Sequence, residues 1–398
     1  MREYEIYIHI PFCVRKCAYC DFLSGPATEE IQQQYAAALQ REIETAEDGG
    51  DEVISVFIGG GTPSILDASL TDKIMTSLYK KHRVSPEAEI TIEANPGTLH
   101  LEKLKEYRRM GINRLSLGLQ SPEDGELRML GRIHSFRDFL ESYEMARKAG
   151  FDNINVDLMM ALPGQTRAGW RRNLETAAGL APEHVSAYSL IIEEGTPFAG
   201  MHLELPDEET EYAMYEDTAE ILERFGYRQY EISNYARPGR ECIHNIGYWI
   251  RRDYIGYGLG AASLRDNERW SNTRDMERYL GAFKEHFGGA DRTELPASCG
   301  SEEGNAGSCR LEIREIRENR EILSVKDAMA EQMFLGLRMT QGVSRSLFYH
   351  NFRITPEEVY GPALRKYTDL GFLETTEDYI RLSRSGIHVS NVIMSEFL

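Results

Sequence analysis

Apolar and polar positions follow two rhythms in the first half of the chain. Short runs rich in β-branched and aromatic residues stand at Glu5–Ile10, Val53–Ile58, Glu89–Glu93, Arg114–Leu119, Asn153–Leu158 and His184–Ile191. Runs of this length bounded by turn residues predict buried strands. Between them, apolar residues recur at three- and four-residue spacing over Glu29–Glu47, Ser69–Lys81, Leu101–Met110, Phe136–Lys148 and Ala168–Ala178. That spacing predicts amphipathic helices. Gly111 and Gly150 stand where helix C-caps belong, and Pro86, Pro96, Pro122 and Pro163 fall in the intervening loops. Strands alternating with helices predict a parallel α/β sheet. Six such units are two short of a closed eightfold barrel, so the expectation is a partial (β/α)6 TIM-type barrel.

The rhythm changes near residue 200. Asp207–Phe225 reads as a long helix, and a Gly- and Tyr-rich stretch runs on through Ala262. The segment Ala297–Cys309, ASCGSEEGNAGSC, is small, polar and Gly-rich, which predicts a mobile insertion. Its Cys299 and Cys309 are metal ligands, a disulfide or incidental thiols. From Ser324 the chain reads as helices closed by a β-pair, Gly371–Glu374 and Tyr379–Leu382. This predicts a small winged-helix-like α+β domain. The expected division is 1–200 for the barrel, 201–290 for its extension, 291–323 for a linker and 324–398 for the terminal domain.

Composition narrows the function classes. With 45 Lys+Arg against 64 Asp+Glu, the 398-residue chain carries a formal charge of −19. An acidic chain lacks the basic face that phosphate binding needs, so no nucleic-acid partner is expected. A hydrophobic fraction of 41% excludes general disorder. No apolar run is long enough for a membrane span, and the N-terminus does not read as a signal peptide. Six cysteines are too few for a disulfide scaffold. The expectation is a cytoplasmic protein.

Three of those cysteines crowd together in YIHIPFCVRKCAYCDF, from Tyr7 to Phe22. Cys13, Cys17 and Cys20 have the spacing Cys-x3-Cys-x2-Cys. Thiolates are the usual ligands of iron–sulfur clusters, and three of them on a four-iron cubane leave one iron open. An open coordination position points to chemistry rather than electron transfer alone. A zinc site is the alternative, with His9 the nearest fourth ligand. The spacing resembles that of the radical S-adenosylmethionine (SAM) superfamily, whose pattern includes an aromatic residue at the position of Tyr19. That resemblance implies a 4Fe–4S cluster whose open iron chelates SAM and whose electron cleaves it to a 5′-deoxyadenosyl radical.

The loops after the predicted strands carry further polar residues, and barrel proteins bind ligands at that end. Gly59-Gly60-Gly61-Thr62 offers close backbone approach and N–H groups for a carboxylate, or else a tight turn. Glu93 suits an ammonium or ribose hydroxyls, or a structural salt bridge. Gln120 and Arg132 suit carboxylate or ribose oxygens, and Arg offers a two-pronged fork. Asp157 interrupts an apolar strand and so needs a partner, which a ribose diol would supply.

Taken in order, YIHIPFCxxxCxYCDF, FIGGGTPS, EANPG, RLSLGLQS, NVDLMMALPGQT and YEISNYA resemble the coproporphyrinogen-oxidase-like branch of radical SAM proteins. By that resemblance Tyr7, Tyr19, Phe22, Gly60, Gly61, Thr62, Glu93, Gln120, Arg132 and Asp157 belong to the SAM and cluster site. Oxidases of the HemN type carry a fourth cysteine where this chain has Phe22, and have a longer N-terminal extension. Both departures point to the sister group, the HemW-type haem chaperones. Their HNxxYW run stands here as His244-Asn245-Ile246-Gly247-Tyr248-Trp249. Imidazole is a common haem ligand and aromatic rings suit a porphyrin face. His244 is therefore a haem ligand or haem-site residue, or else a histidine satisfying loop carbonyls, and Cys242 is a possible competing ligand. The Gly-rich run Tyr254–Ala262 reads as a close-approach surface or a tight turn. The resemblance implies that the protein binds haem and passes it to acceptors such as membrane respiratory proteins. Its alternatives are anaerobic coproporphyrinogen III decarboxylation in porphyrin biosynthesis, or methyl transfer.

Overall fold

The computed structural model describes residues 2–46, 50–283 and 315–398. Six strands form its centre: β1 (Glu3–Ile10), β2 (Glu52–Gly60), β3 (Arg83–Ala94), β4 (Arg114–Gln120), β5 (Ile154–Met160) and β6 (His184–Ser189). Each pairs parallel with the next. Helices α1 (Glu29–Thr45), α2 (Ala68–Lys81), α3 (Leu101–Arg109), α4 (Asp124–Met129), α5 (Phe136–Lys148) and α6 (Arg167–Gly179) connect them. Helix starts are set by short polar side chains: Thr28, Asp67 and Thr166 cap α1, α2 and α6, and Ser135 with Asp138 forms a capping box on α5. Gly111 and Gly150 stop α3 and α5 at φ of +91° and +90°, where a side chain would be strained.

Local differences from the sequence expectation have local causes. Helix α4 spans 6 residues, too few to show a period. Pro86 lies within β3 rather than in a loop. The ladder to β2 jumps from Val53↔Val84 to Ser55↔Glu89, so the proline occupies an irregularity where no ladder donor is required.

The six-stranded centre is extended at both edges to a 12-stranded sheet. Strand Tyr254–Tyr257 adds parallel to β1. Ala262–Arg265, Glu268–Asn272 and Arg317–Ile322 follow it antiparallel. On the far side Asn234–Ala236 pairs antiparallel with β6, and Arg228–Gln229 with it in turn. The run Tyr254–Ala262 is thus a strand and a turn. A Cβ on Gly258 would lie 2.6 Å from the His9 carbonyl oxygen, and one on Gly260 2.6 Å from Leu23, so close packing on the cysteine loop requires both glycines. The insertion Ala297–Cys309, with Cys299 and Cys309, lies outside the described residues. So does most of the expected linker 291–323, but its end forms the strand Arg317–Ile322.

Helix α7 (Glu208–Arg224) packs on α6, where the buried Trp170 indole donates to Thr218 Oγ1 at 2.9 Å. Residues 325–398 build a second core around Met333, Phe348, Leu364, Ile380 and Phe397. Its sheet joins Val343–Ser344, Tyr379–Leu382 and Leu373–Thr375. The first strand of the expected pair begins at Leu373 because Gly371, at φ +76°, is still turning out of the preceding helix. Among the described residues no helix is long and apolar enough to cross a membrane.

Strands buried on both faces are normally apolar throughout. Here one face of β3, β4, β5 and β6 carries polar residues at alternate positions. Glu89, Thr91 and Glu93 share a face of β3, as do Ser116, Gly118 and Gln120 with Arg114 on β4. Asn155 and Asp157 on β5, and His184, Ser186 and Tyr188 on β6, continue the pattern.

Candidate cofactor site at the strand ends

Strand β1 runs directly into the cysteine loop. The loop is tied down on both sides by backbone bonds: Cys13 N–H to Gly25 O at 3.0 Å, Ala18 N–H to Leu130 O at 3.0 Å, and Phe198 N–H to Ala18 O at 3.0 Å. Cys13, Cys17 and Cys20 are free thiols. All three face one cleft of about 680 Å³, counting the part open to solvent. Tyr19, Phe22, Gly60, Gly61, Thr62, Glu93, Gln120, Arg132 and Asp157 line the same cleft. Phe22 is 64% exposed and sits on its rim.

The donor set fits a cluster better than a single ion. Among the described residues no three His, Cys, Asp or Glu side chains converge as on one metal ion. A cubane binds each thiolate through a different iron and needs no such convergence. His9 cannot complete a zinc site as placed. Its Nδ1 is bonded to Tyr7 Oη at 3.0 Å and its Nε2 to Leu23 O at 2.9 Å. Burial pushes the Cys13 and Cys20 thiols up, the cost that a bound cation would remove.

Two half-buried carboxyls line the cleft with the cysteines. Glu93 has its pKa pushed up to about 8, first by burial and then by the nearby Asp157 charge. Its Oε2 accepts the Gly60 N–H at 3.1 Å. Asp157 is also raised by burial, opposed by the Asn155 amide, which donates to Oδ1 at 2.8 Å, and by Ser116 at 3.3 Å. Asp157 lies mid-strand opposite Gly118 rather than at the end of β5. Arg132 donates from Nη2 to Asn95 Oδ1 at 2.6 Å and to Gly118 O at 2.8 Å, and its Nη1 lies 3.8 Å from Cys17 Sγ. Its Nε is buried without a hydrogen-bond partner. Gln120 ends β4 at φ +67°, a strained value for a side chain of this kind. A cationic ligand carrying hydroxyls would meet these carboxyls and Arg132 at once.

The glycines serve packing rather than ligand approach. Gly60 N–H is spent on Glu93, Gly61 N–H donates to Ile10 O at 2.9 Å, and Thr62 N–H donates to Phe12 O at 2.7 Å. These N–H groups are therefore not free for a carboxylate. A Cβ on Gly61 would come within 2.5 Å of the Phe12 carbonyl oxygen, so the turn must be bare to hold the cysteine loop.

Tyr7 and His244 do not reach the cysteine cleft. They line a neighbouring cavity that shares Glu93, Ser116 and Asp157 with it. Tyr7 stands three residues before the end of β1, below the cleft, and stacks on Phe57. His244 lies on helix α8 (Ile243–Trp249) and is 2% exposed. Its Nδ1 is bonded to Ser55 Oγ at 2.9 Å, and its Nε2 faces Tyr248 Oη at 3.3 Å. Burial, then Arg114 and Arg252, lowers its pKa to about 3, so the ring is neutral. Cys242 points away to Glu89 Oε1 at 3.3 Å and does not line the cavity.

Comparisons with known proteins follow this geometry. The radical SAM superfamily matches residues 7–177 and the HemN C-terminal domain matches residues 323–389. The chain is 34% identical over 399 residues to the heme chaperone HemW of Bacillus subtilis, covering 98% of each chain. It is 34% identical to the heme chaperone HemW of Lactococcus lactis, over 98% of this chain and 96% of that one. The chain belongs to the HemW family of the radical SAM superfamily. Its fold is also that of the radical SAM coproporphyrinogen III oxidase HemN from Escherichia coli, with a TM-score of 0.80 at 23% identity over 100% of this chain and 90% of that one.

The cleft and the cavity beside it include residues that sequence reasoning passed over. Asn95 joins Thr62 to Arg132 through its amide, donating to Thr62 Oγ1 at 2.7 Å. Ser116 and Gly118 floor the cleft, and Arg114, Asn155, Ser186 and Tyr188 line the second cavity. The signal for most of them was the two-residue polar alternation in otherwise apolar strands.

Proposed function

We propose that this HemW-family protein is a haem chaperone that holds a 4Fe–4S cluster and SAM in the cysteine cleft and takes haem at the cavity beside it. Cys13, Cys17 and Cys20 are the cluster ligands. Glu93, Asp157, Gln120 and Arg132 bind SAM. Such a cluster, when bound, supplies an electron to SAM at its open iron. The names of the curated relatives support the haem reading at family level.

The observation that carries it in this chain is His244. Its ring is neutral, the form that binds a metal. Its Nδ1 is fixed on Ser55, as the outer nitrogen of a metal-bound imidazole usually is. Its Nε2 contact with Tyr248 is long, so that nitrogen is the one to yield to iron. The acceptors are haem proteins, membrane respiratory components among them, and the protein works in the cytoplasm.

The test is haem transfer and decarboxylation run side by side on anaerobically reconstituted protein. The chaperone reading expects haem bound by the wild type, weakened in His244→Ala, and no conversion of coproporphyrinogen III with SAM. Turnover of coproporphyrinogen III without stable haem binding would replace it with the oxidase reading.

A further inference from the structure

Arg114 opens β4 and is 2% exposed. Burying a guanidinium this deeply is costly unless it is fully paired. Here it is not. Its Nε is buried without a hydrogen-bond partner. The carboxylate paired with it, Glu89, stands 3.9 Å away, beyond hydrogen-bond distance. The other oxygen of Glu89 takes the Cys242 thiol and the His244 N–H. Arg114 nevertheless lines the cavity of about 590 Å³ that contains His244. Its lining combines the rings of Tyr7, Phe57, Tyr188 and Tyr248 with hydrogen-bonding groups, so one chamber offers both a face for a ring and a partner for a polar arm. Glu93 and Asp157 also line it, and burial raises the pKa of both, which lessens the negative charge an entering anion meets.

We propose that Arg114 anchors a carboxylate arm of the ligand that enters the His244 cavity, a propionate where that ligand is haem. The inference rests on the haem reading above and adds the ligand chemistry of the same site. A planar fork with an unused N–H matches a carboxylate in a way that a point charge does not. His244 and Arg114 then hold one ligand by two different groups.

The experiment compares haem with haem dimethyl ester, in which both propionates are masked, on the full reconstituted protein. Wild type should bind haem at least about tenfold more tightly than the ester, the worth of a charge-assisted pair in a buried site. Arg114→Met should bind the two alike, with its folded state checked by circular dichroism. Should that variant not fold, Arg114→Lys keeps the charge, loses the fork, and should reduce the preference part way. Equal binding of haem and ester by wild type overturns the role of Arg114 and leaves haem binding standing. An undiminished preference in the variants overturns it too. Failure of wild type to bind either porphyrin overturns the haem reading and this inference with it.

Discussion

Glu93 is the residue whose environment is best defined. Its folded pKa of about 8 is raised from 4.5. The folded state therefore binds more protons than the unfolded state between those values. Stability is greatest below the unfolded pKa and falls as pH rises towards 8. Glu93→Gln keeps the shape without the charge. It should remove that fall, leaving the ligand-free protein more stable than wild type above pH 8 and about equal near pH 4.5. Thermal melts across pH check this; parallel profiles for the two proteins would mean that Glu93 is ionised at no cost. The same variant should weaken SAM binding by about tenfold or more, because a carboxylate facing a cation is lost. Cys17→Ala should abolish the iron–sulfur absorbance of reconstituted protein. Persistence of that band at full intensity would refute the ligand set.

The sequence motifs that carry Cys13, Cys17, Cys20, Glu93, Gln120, Arg132 and Asp157 were legible in order along the chain, and the fold brings those residues to one cleft. Tyr7, grouped with them by the family resemblance, lines the neighbouring cavity. It belongs to the polar face of β1, but three residues short of the end it points into the barrel below the cleft. The close-packing role of Gly60 and Gly61 was not legible, since only the structure shows which atoms their missing Cβ would strike.

At the scale of elements, the turn after β2 and helix α8 decide the site. Gly61→Ala forces a Cβ onto the Phe12 carbonyl and displaces the cysteine loop. It should lower stability by about 1–3 kcal/mol and reduce cluster content, read from melts and iron analysis. Unchanged cluster content would show that the loop tolerates the shift. Helix α8 is clamped by the terminal domain. Glu331 takes Arg251 Nε at 2.9 Å and Arg269 Nη1 at 2.7 Å, and Arg338 stacks over Trp249. Removing the carboxylate takes one partner from Arg251, which keeps Asn267, and one from Arg269, which is 36% exposed, so Glu331→Ala should cost about 1–3 kcal/mol in urea unfolding. A loss below about 1 kcal/mol would mean that the clamp is solvent-screened.

The six parallel strands and five of their six helices were readable because each is strongly patterned, whereas α4, at 6 residues, was not. The added edge strands were not. Asn234–Ala236 and Ala262–Arg265 have 3 and 4 residues, too short for a period, and are held by the edges they join.

The whole molecule places two chambers against one pair of carboxyls. The cysteine cleft opens at the strand ends, and the His244 cavity lies beside it, with Glu93, Ser116 and Asp157 common to both. The family, the fold and the cleft could be read from ordered motifs. The second chamber could not, because its walls come from strands and α8 that lie far apart in sequence. The measurement that tests the account most directly is a spectroscopic titration of anaerobically reconstituted protein with haem. Saturation near one haem per chain, lost or much weakened in His244→Ala, is the result predicted. A Soret band that grows without saturating, and grows alike in both proteins, would contradict it.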